Sequence, residues 1–328
     1  MQVPLWIWLA TVAGVIALLA LSFFTHIRKA HEPSMKEAGA WTALFVSLAA
    51  VFGGGMTAAW GWDHGAQFFA GYITEYSLSI DNLFVFVIIM SSFAVPRAFQ
   101  QKVLLVGIIV ALVLRTIFIL IGAAAIARFS WVFYIFGLFL ILTGLKLALE
   151  KHDDEETYEP NLLVRFARKF LPATNEYDGA KMTTVIDGKR HMTPMMMVML
   201  AIGMTDILFA LDSIPAIYGL TNVPYIVFTT NAFALLGLVE LYFLIGGLLK
   251  KLVYLSVGLA VVLGFIGIKL VIEAMHGNSL PFLNGGRPIH FVPAIPTWLS
   301  LVIILAILAV TTVASLIKSR RDAAMPAG

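Results

Sequence analysis

Nine stretches of this chain are apolar over about the 20 residues that an α-helix needs to cross a bilayer. They are residues 5–24, 41–60, 66–93, 103–127, 131–150, 194–218, 223–249, 252–275 and 297–317. Backbone polar groups in hydrocarbon must be satisfied within the protein, so spans of this kind are helices. Composition agrees: 60% of residues are hydrophobic and 12% charged, where a soluble domain carries about 25% charged residues. The expected fold is an all-α polytopic membrane protein. The first run lacks a basic leader and a small-residue cleavage pattern, so it reads as a membrane helix and not a removable signal. The run 66–93 is too long for one straight span and polar at its centre, which predicts a tilted or broken helix.

Lysine and arginine alternate across these spans. Seventeen fall in loops on one side, two on the other, and Arg115, Lys146 and Lys269 lie within spans. The positive-inside rule then puts the N-terminus outside and the C-terminus in the cytoplasm. The basic residues are topology signals, and no soluble face gathers them into a nucleic-acid footprint. The largest soluble segment, 151–193, carries Asp153, Asp154, Glu155 and Glu156 beside His152. It reads as a solvated linker, with a weak metal-delivering patch as the sharper alternative.

Two segments of the chain resemble each other. Glu75 and Asp81 in EYSLSIDN match Asp206 and Asp212 in DILFALDS. Val95-Pro96 matches Val223-Pro224, and FILIG (118–122) matches YFLIG (242–246). Gly144, Lys146 and Glu150 match Gly267, Lys269 and Glu273. Each unit holds three spans, and the units begin on opposite sides of the membrane. Inverted three-helix repeats are a layout of secondary transporters, with the substrate site near the midplane. The chain thus divides into 1–65, two N-terminal helices; 66–150, the first repeat; 151–193, the linker; 194–275, the second repeat; and 276–328, an extracytoplasmic loop, last helix and tail.

Glu75, Asp81, Asp206, Asp212 and Glu240 fall within spans, where a carboxylate costs about 2.5–3.5 kcal/mol to insert. Such groups face the bundle interior, a cation or a water path. Lys146 and Lys269 stand four residues before Glu150 and Glu273, and read best as snorkelling i,i+4 pairs. Residues six apart on a helix are about 120° off a common face. Glu75 and Asp81, or Asp206 and Asp212, therefore cannot aim at one ion from a regular helix. Pro215 predicts an irregularity that frees the Leu211 carbonyl beside Asp212; Ser77, Ser79 and Asn82 surround Asp81.

The chain has no cysteine, and no span contains histidine. The remaining oxygen donors suit Mg, Ca or Mn more than Zn or Cu. A proton relay or a structural polar network is the competing reading. Gly53-Gly54-Gly55 lies inside a span without a following Lys-Ser/Thr, so it reads as close helix packing. Active transport would use an ion gradient or the membrane potential. No nucleophile–base arrangement marks an enzyme.

The segments GYITEYSLSIDNLFVFVIIMSSFAVP (71–96), TDILFALDSIPAIYGLT (205–221), IVFTTNAFALLGL (226–238) and HIRKAHEPSMKEAGAW (26–41) strongly resemble the TerC/Alx family of bacterial membrane proteins. The resemblance implies a LysE-like superfamily fold of two inverted three-helix bundles in the inner membrane. It further implies export of a divalent metal cation, Mn²⁺ first, with no organic cofactor. The alternative it leaves is a membrane component of a tellurite or envelope-stress response acting through partners. Metal-site roles pass by resemblance to Asp81, Asn82, Asp206 and Asp212, with support from Glu75 and Asn231.

The chain departs from the family twice: Gly203-Met204 stands where Glu-Phe is usual, and Val239-Glu240 where Arg-Ala is usual. Gly203 and Glu240 each lie nine residues from the cytoplasmic end of their spans, about 14 Å deep. One expectation is that Glu240 replaces the acid lost at Gly203. The other is that it reaches the interface or pairs with Lys250 or Lys251.

Overall fold

A computed structural model describes residues 1–26, 33–129, 131–149, 174, 176–179, 181–186, 188–245, 253–278, 280–289 and 292–324. The helices are α1 (Leu5–His26), α2 (Met35–Trp60), α3 (Trp62–Ser92), α4 (Arg97–Arg128) and α5 (Val132–Leu149). A hairpin of β1 (Thr183–Ile186) and β2 (Lys189–Met192) follows. Then come α6 (Pro194–Tyr218), α7 (Pro224–Leu236), α8 (Leu238–Ile245), α9 (Leu255–His276) and α10 (Thr297–Ala324). With α7 and α8 counted as one span, nine helices among the described residues are long and apolar enough to cross a membrane. The protein is an all-α polytopic membrane protein, as its hydropathy requires. Glu150, the acidic run 153–156, Gly246, Lys250 and Lys251 lie outside the described residues.

Local chemistry sets the helix ends. Ser34 accepts a hydrogen bond from the Glu37 amide at 3.2 Å and caps α2. Pro194 and Pro224 open α6 and α7, where a missing N–H costs nothing. Of the two outcomes expected for the third span, tilted or broken, the break is not seen: α3 is one continuous helix of 31 residues. At 1.5 Å per residue it runs about 46 Å, more than the roughly 30 Å of a bilayer core, a length that a helix can accommodate by tilting. Nor does Pro215 unwind α6, because it sits in the last turn, where few backbone bonds remain to be lost. The span 223–249 is interrupted instead at Gly237, between α7 and α8.

The repeat units, α3–α5 and α6–α9, interlock. The first helix of each packs on the second helix of the other, α3 with α7 and α6 with α4. The first helices also touch each other, and the third helices, α5 and α9, form the most extensive contact in the bundle. The pairing is thus reciprocal between the two segments. Glycines permit the closeness. A Cβ at Gly137 would meet the Gly267 carbonyl at 2.8 Å, and a Cβ at Gly267 would meet the Gly137 carbonyl at 2.8 Å. A Cβ at Gly144 would likewise lie 2.8 Å from the Ala260 carbonyl. In α2, Gly53 is the packing glycine of its run, with Phe68 and Phe69 of α3 against it, while Gly54 and Gly55 face open space.

Part of the expected linker is structured. The hairpin packs at one end of the bundle. Thr193 donates to the Lys181 carbonyl at 2.6 Å, and the Tyr177 hydroxyl donates to the Phe93 carbonyl at 2.7 Å. Hydrogen bonds from Lys181 and Thr184 hold the Asp178 carboxyl below its ordinary range. At the opposite end, Thr221 donates to Gln67 at 2.6 Å.

Candidate functional site

Arg115 lies mid-way along α4 with no exposed surface. A buried charge must be paired and hydrogen-bonded or it costs several kcal/mol, and Arg115 meets both conditions. Its Nε donates to Asp206 Oδ2 at 3.1 Å and its Nη2 to Asp206 Oδ1 at 3.0 Å. This is the two-pronged arrangement that suits guanidinium to carboxylate. The two N–H groups of Nη1 are shared among Glu75 Oε1, Ser213 Oγ at 3.1 Å and Asn231 Oδ1 at 2.9 Å. The Asn231 amide is oriented from behind, since its Nδ2 donates to the Val227 carbonyl at 3.0 Å.

Four helices therefore converge on one guanidinium: α3 through Glu75, α4 through Arg115 itself, α6 through Asp206 and Ser213, and α7 through Asn231. Glu75, Asp206, Ser213 and Asn231 are all buried. Two carboxyl groups face one cation. Glu75 uses one oxygen on Arg115, while its Oε2 is buried without a hydrogen-bond partner among the described residues. The hydroxyls of Thr74 and Ser79, on the same helix, are buried and unpartnered in the same way. Ser79 and Asn82 follow Glu75 at i+4 and i+7, so they continue its stripe along α3.

The structure gathers three of the seven expected ligands, Glu75, Asp206 and Asn231, and ties all three to Arg115. Asp212 is elsewhere: six residues past Asp206, it turns to α5 and accepts a hydrogen bond from Thr143 at 3.3 Å. Residues six apart on a helix point about 120° apart, which accounts for that divergence. Asn82 is buried on α3, and Asp81 precedes it in the same helix, its side chain lying outside the description. Among the described residues, no three acidic or histidine side chains sit close enough together to hold a metal ion.

Glu240 is buried on α8, which packs chiefly on α2 and α3. α6 instead packs chiefly on α4, and a Cβ at Gly203 would meet only Val110 of that helix, at 3.5 Å. The expectation that Glu240 fills the space beside Gly203 rested on sequential helices being neighbours. The interlocking of the units places α4 there instead.

Arg115 and Ser213 were not among the expected ligands. The sequence carried a signal for Arg115, the one arginine deep in a span. In the repeat correspondence that matches FILIG to YFLIG, Arg115 falls opposite Val239, so the second unit has no equivalent guanidinium. Thr74-Glu75 falls opposite Thr205-Asp206, and Asn82 opposite Ser213. The two acids on Arg115 thus come from corresponding positions of the two units.

A helical membrane bundle whose repeat units meet around buried, partly satisfied acids defines an integral membrane protein with a polar centre. The profile of the integral membrane protein TerC family matches residues 60–323, and the chain belongs to that family. It is similar to an uncharacterized membrane protein of Mycobacterium tuberculosis, 48% identical over 96% of this chain and 80% of that one. An uncharacterized membrane protein of Myxococcus xanthus is 46% identical over 96% of this chain and 93% of its own. The Alx protein of Escherichia coli K12, whose given name describes a membrane-bound redox modulator, is 39% identical over 81% of this chain and 85% of its own. No solved structure matches the chain significantly.

Proposed function

We propose that this protein is a secondary transporter that exports a divalent metal cation, Mn²⁺ first, from the cytoplasm, coupled to protons. The observation that carries the reading is the convergence of Glu75, Asp206 and Asn231 from three helices at a fully buried point between the repeat units. Oxygen donors of this kind suit hard divalent ions, and buried acids in a membrane bundle mark ion pathways. The Glu75 oxygen and the Ser79 hydroxyl, without hydrogen-bond partners among the described residues, offer an incoming cation oxygen ligands. Asp81, Asn82 and Asp212 form further stations on α3 and α6, and Glu240 is a separate acid on α8. In this reading the repeats are inverted, the N-terminus faces outside, the C-terminus lies in the cytoplasm, and the membrane is the bacterial inner membrane. The protein needs no organic cofactor and no nucleic acid, and is not an enzyme.

The test is flux in proteoliposomes with a panel of divalent ions. Transport of Mn²⁺ that is lost in Asp206→Asn supports the reading; a protein that moves none of the ions sinks it. The redox wording in the relatives' name favours no second mechanism here, because a chain without cysteine has no thiol chemistry of its own.

A further inference from the structure

We propose that the Arg115 guanidinium is a tethered stand-in for the transported cation. It fills the acidic site between loads and gives up the carboxyl oxygens of Glu75 and Asp206 when a divalent ion enters. The inference rests on the reading of the protein as a cation exporter.

Three observations carry it. First, the best-formed polar site in the bundle, built from four helices, is occupied by a side chain of the protein itself. A guanidinium and a divalent ion cannot share one pair of carboxyl groups in a low-dielectric interior, because like charges at contact distance repel strongly there. Cation entry therefore requires Arg115 to let go. Second, the site is not saturated by its arginine. Among the described residues, Glu75 Oε2 is buried with no hydrogen-bond partner, and the Ser79 hydroxyl one turn further along α3 is also unpartnered. A purely structural ion pair at full burial is expected to satisfy its lone pairs; these donors are what a second, alternative cation would use. Third, the acids on Arg115 come from corresponding positions of the two repeat units, and Val239 supplies no second guanidinium. One arginine thus ties one unit to the other where their helices interlock. Releasing it frees that contact, and re-forming it resets the empty protein, so the tie couples cation occupancy to the relation between the units.

The experiment uses the full-length protein. Mn²⁺ binding is measured by titration in detergent, and net Mn²⁺ efflux and Mn²⁺/Mn²⁺ exchange in proteoliposomes. Arg115→Gln removes the competing charge. It should bind Mn²⁺ about tenfold or more tightly, the size of an ordinary coupling between two ligands. It should retain exchange and lose net efflux, because an emptied site has no replacement cation. Arg115→Lys keeps a charge with fewer fixed donors; it should retain net efflux and bind Mn²⁺ more tightly than wild type but less tightly than Arg115→Gln. If Arg115→Gln yields no folded protein, Arg115→Lys decides alone by the same two readouts. Unchanged or weaker Mn²⁺ binding in the deciding variant overturns the stand-in while leaving the exporter reading intact. A wild-type protein that binds none of the divalent ions overturns both.

Discussion

Asp206 meets Arg115 through both carboxyl oxygens, at 3.1 and 3.0 Å, and does so across the boundary between the two repeat units. The pair is a contact within the bundle centre, where removing one partner leaves the other charged, buried and alone. Arg115→Ala in the metal-free protein is therefore expected to cost about 3–5 kcal/mol of unfolding free energy, measured by denaturant titration in mixed micelles. The triple variant Arg115→Met, Glu75→Gln, Asp206→Asn should recover much of that loss. A triple variant less stable than Arg115→Ala would show that packing around the guanidinium, and not its charge, is what the bundle needs.

Asp212 and Asp81 occupy corresponding positions of the repeat. Asp212→Asn and Asp81→Asn are each expected to abolish Mn²⁺ efflux at unchanged membrane insertion. Thr143→Val removes the donor to Asp212 and should reduce efflux only modestly, since the carboxylate stays. Full efflux by either asparagine variant would remove these acids from the pathway.

The contact of α5 with α9 leaves no room for side chains at Gly137 and Gly267. Gly267→Ala should destabilise the protein by about 1–3 kcal/mol through overpacking. Gly264→Ala, three residues away on α9 and facing open space, should be neutral or slightly stabilising, by up to about 1 kcal/mol. Thermal unfolding of the two variants beside wild type checks the contrast; equal effects would contradict the close approach.

A chain without cysteine offers a clean background for labelling. In intact cells, Arg287→Cys, exposed in the turn after α9, should react with an impermeant thiol reagent. Arg190→Cys, exposed on β2, should react only after permeabilisation. The reverse pattern would invert the orientation deduced from the basic loops.

Proton coupling predicts that efflux from proteoliposomes speeds up when the compartment receiving Mn²⁺ is made acidic, and slows under the opposite gradient. An opposite charge arriving beside a carboxyl group favours its ionised form, so metal loading releases protons. Efflux indifferent to the gradient but responsive to voltage would point to a uniporter.

Much of this architecture is legible in the sequence, for physical reasons. The spans follow from apolar length, and Pro194 and Pro224 mark their starts. The divergence of Asp206 and Asp212 follows from helical rotation alone. The capture of Glu75 and Asp206 by Arg115 does not, because depth in the membrane says nothing about which helices are neighbours. The chief neighbour of α6 is α4 and not the sequentially closer α8, so chain order alone does not set Glu240 against Gly203. The hairpin had a readable signal, Asp187-Gly188 directly after the β-branched run Thr183–Ile186; Gly188 has φ +76°, a conformation glycine adopts without strain.

The backbone contact between Gly137 and Gly267 also bears on how such a molecule could move. Side chains can change rotamer and let helices slide, but two main chains in van der Waals contact have no adjustable layer between them. The third helices of the two units are therefore a shared keel. Any rocking of one unit on the other must pivot about that line, with the largest displacement on the far side of the bundle.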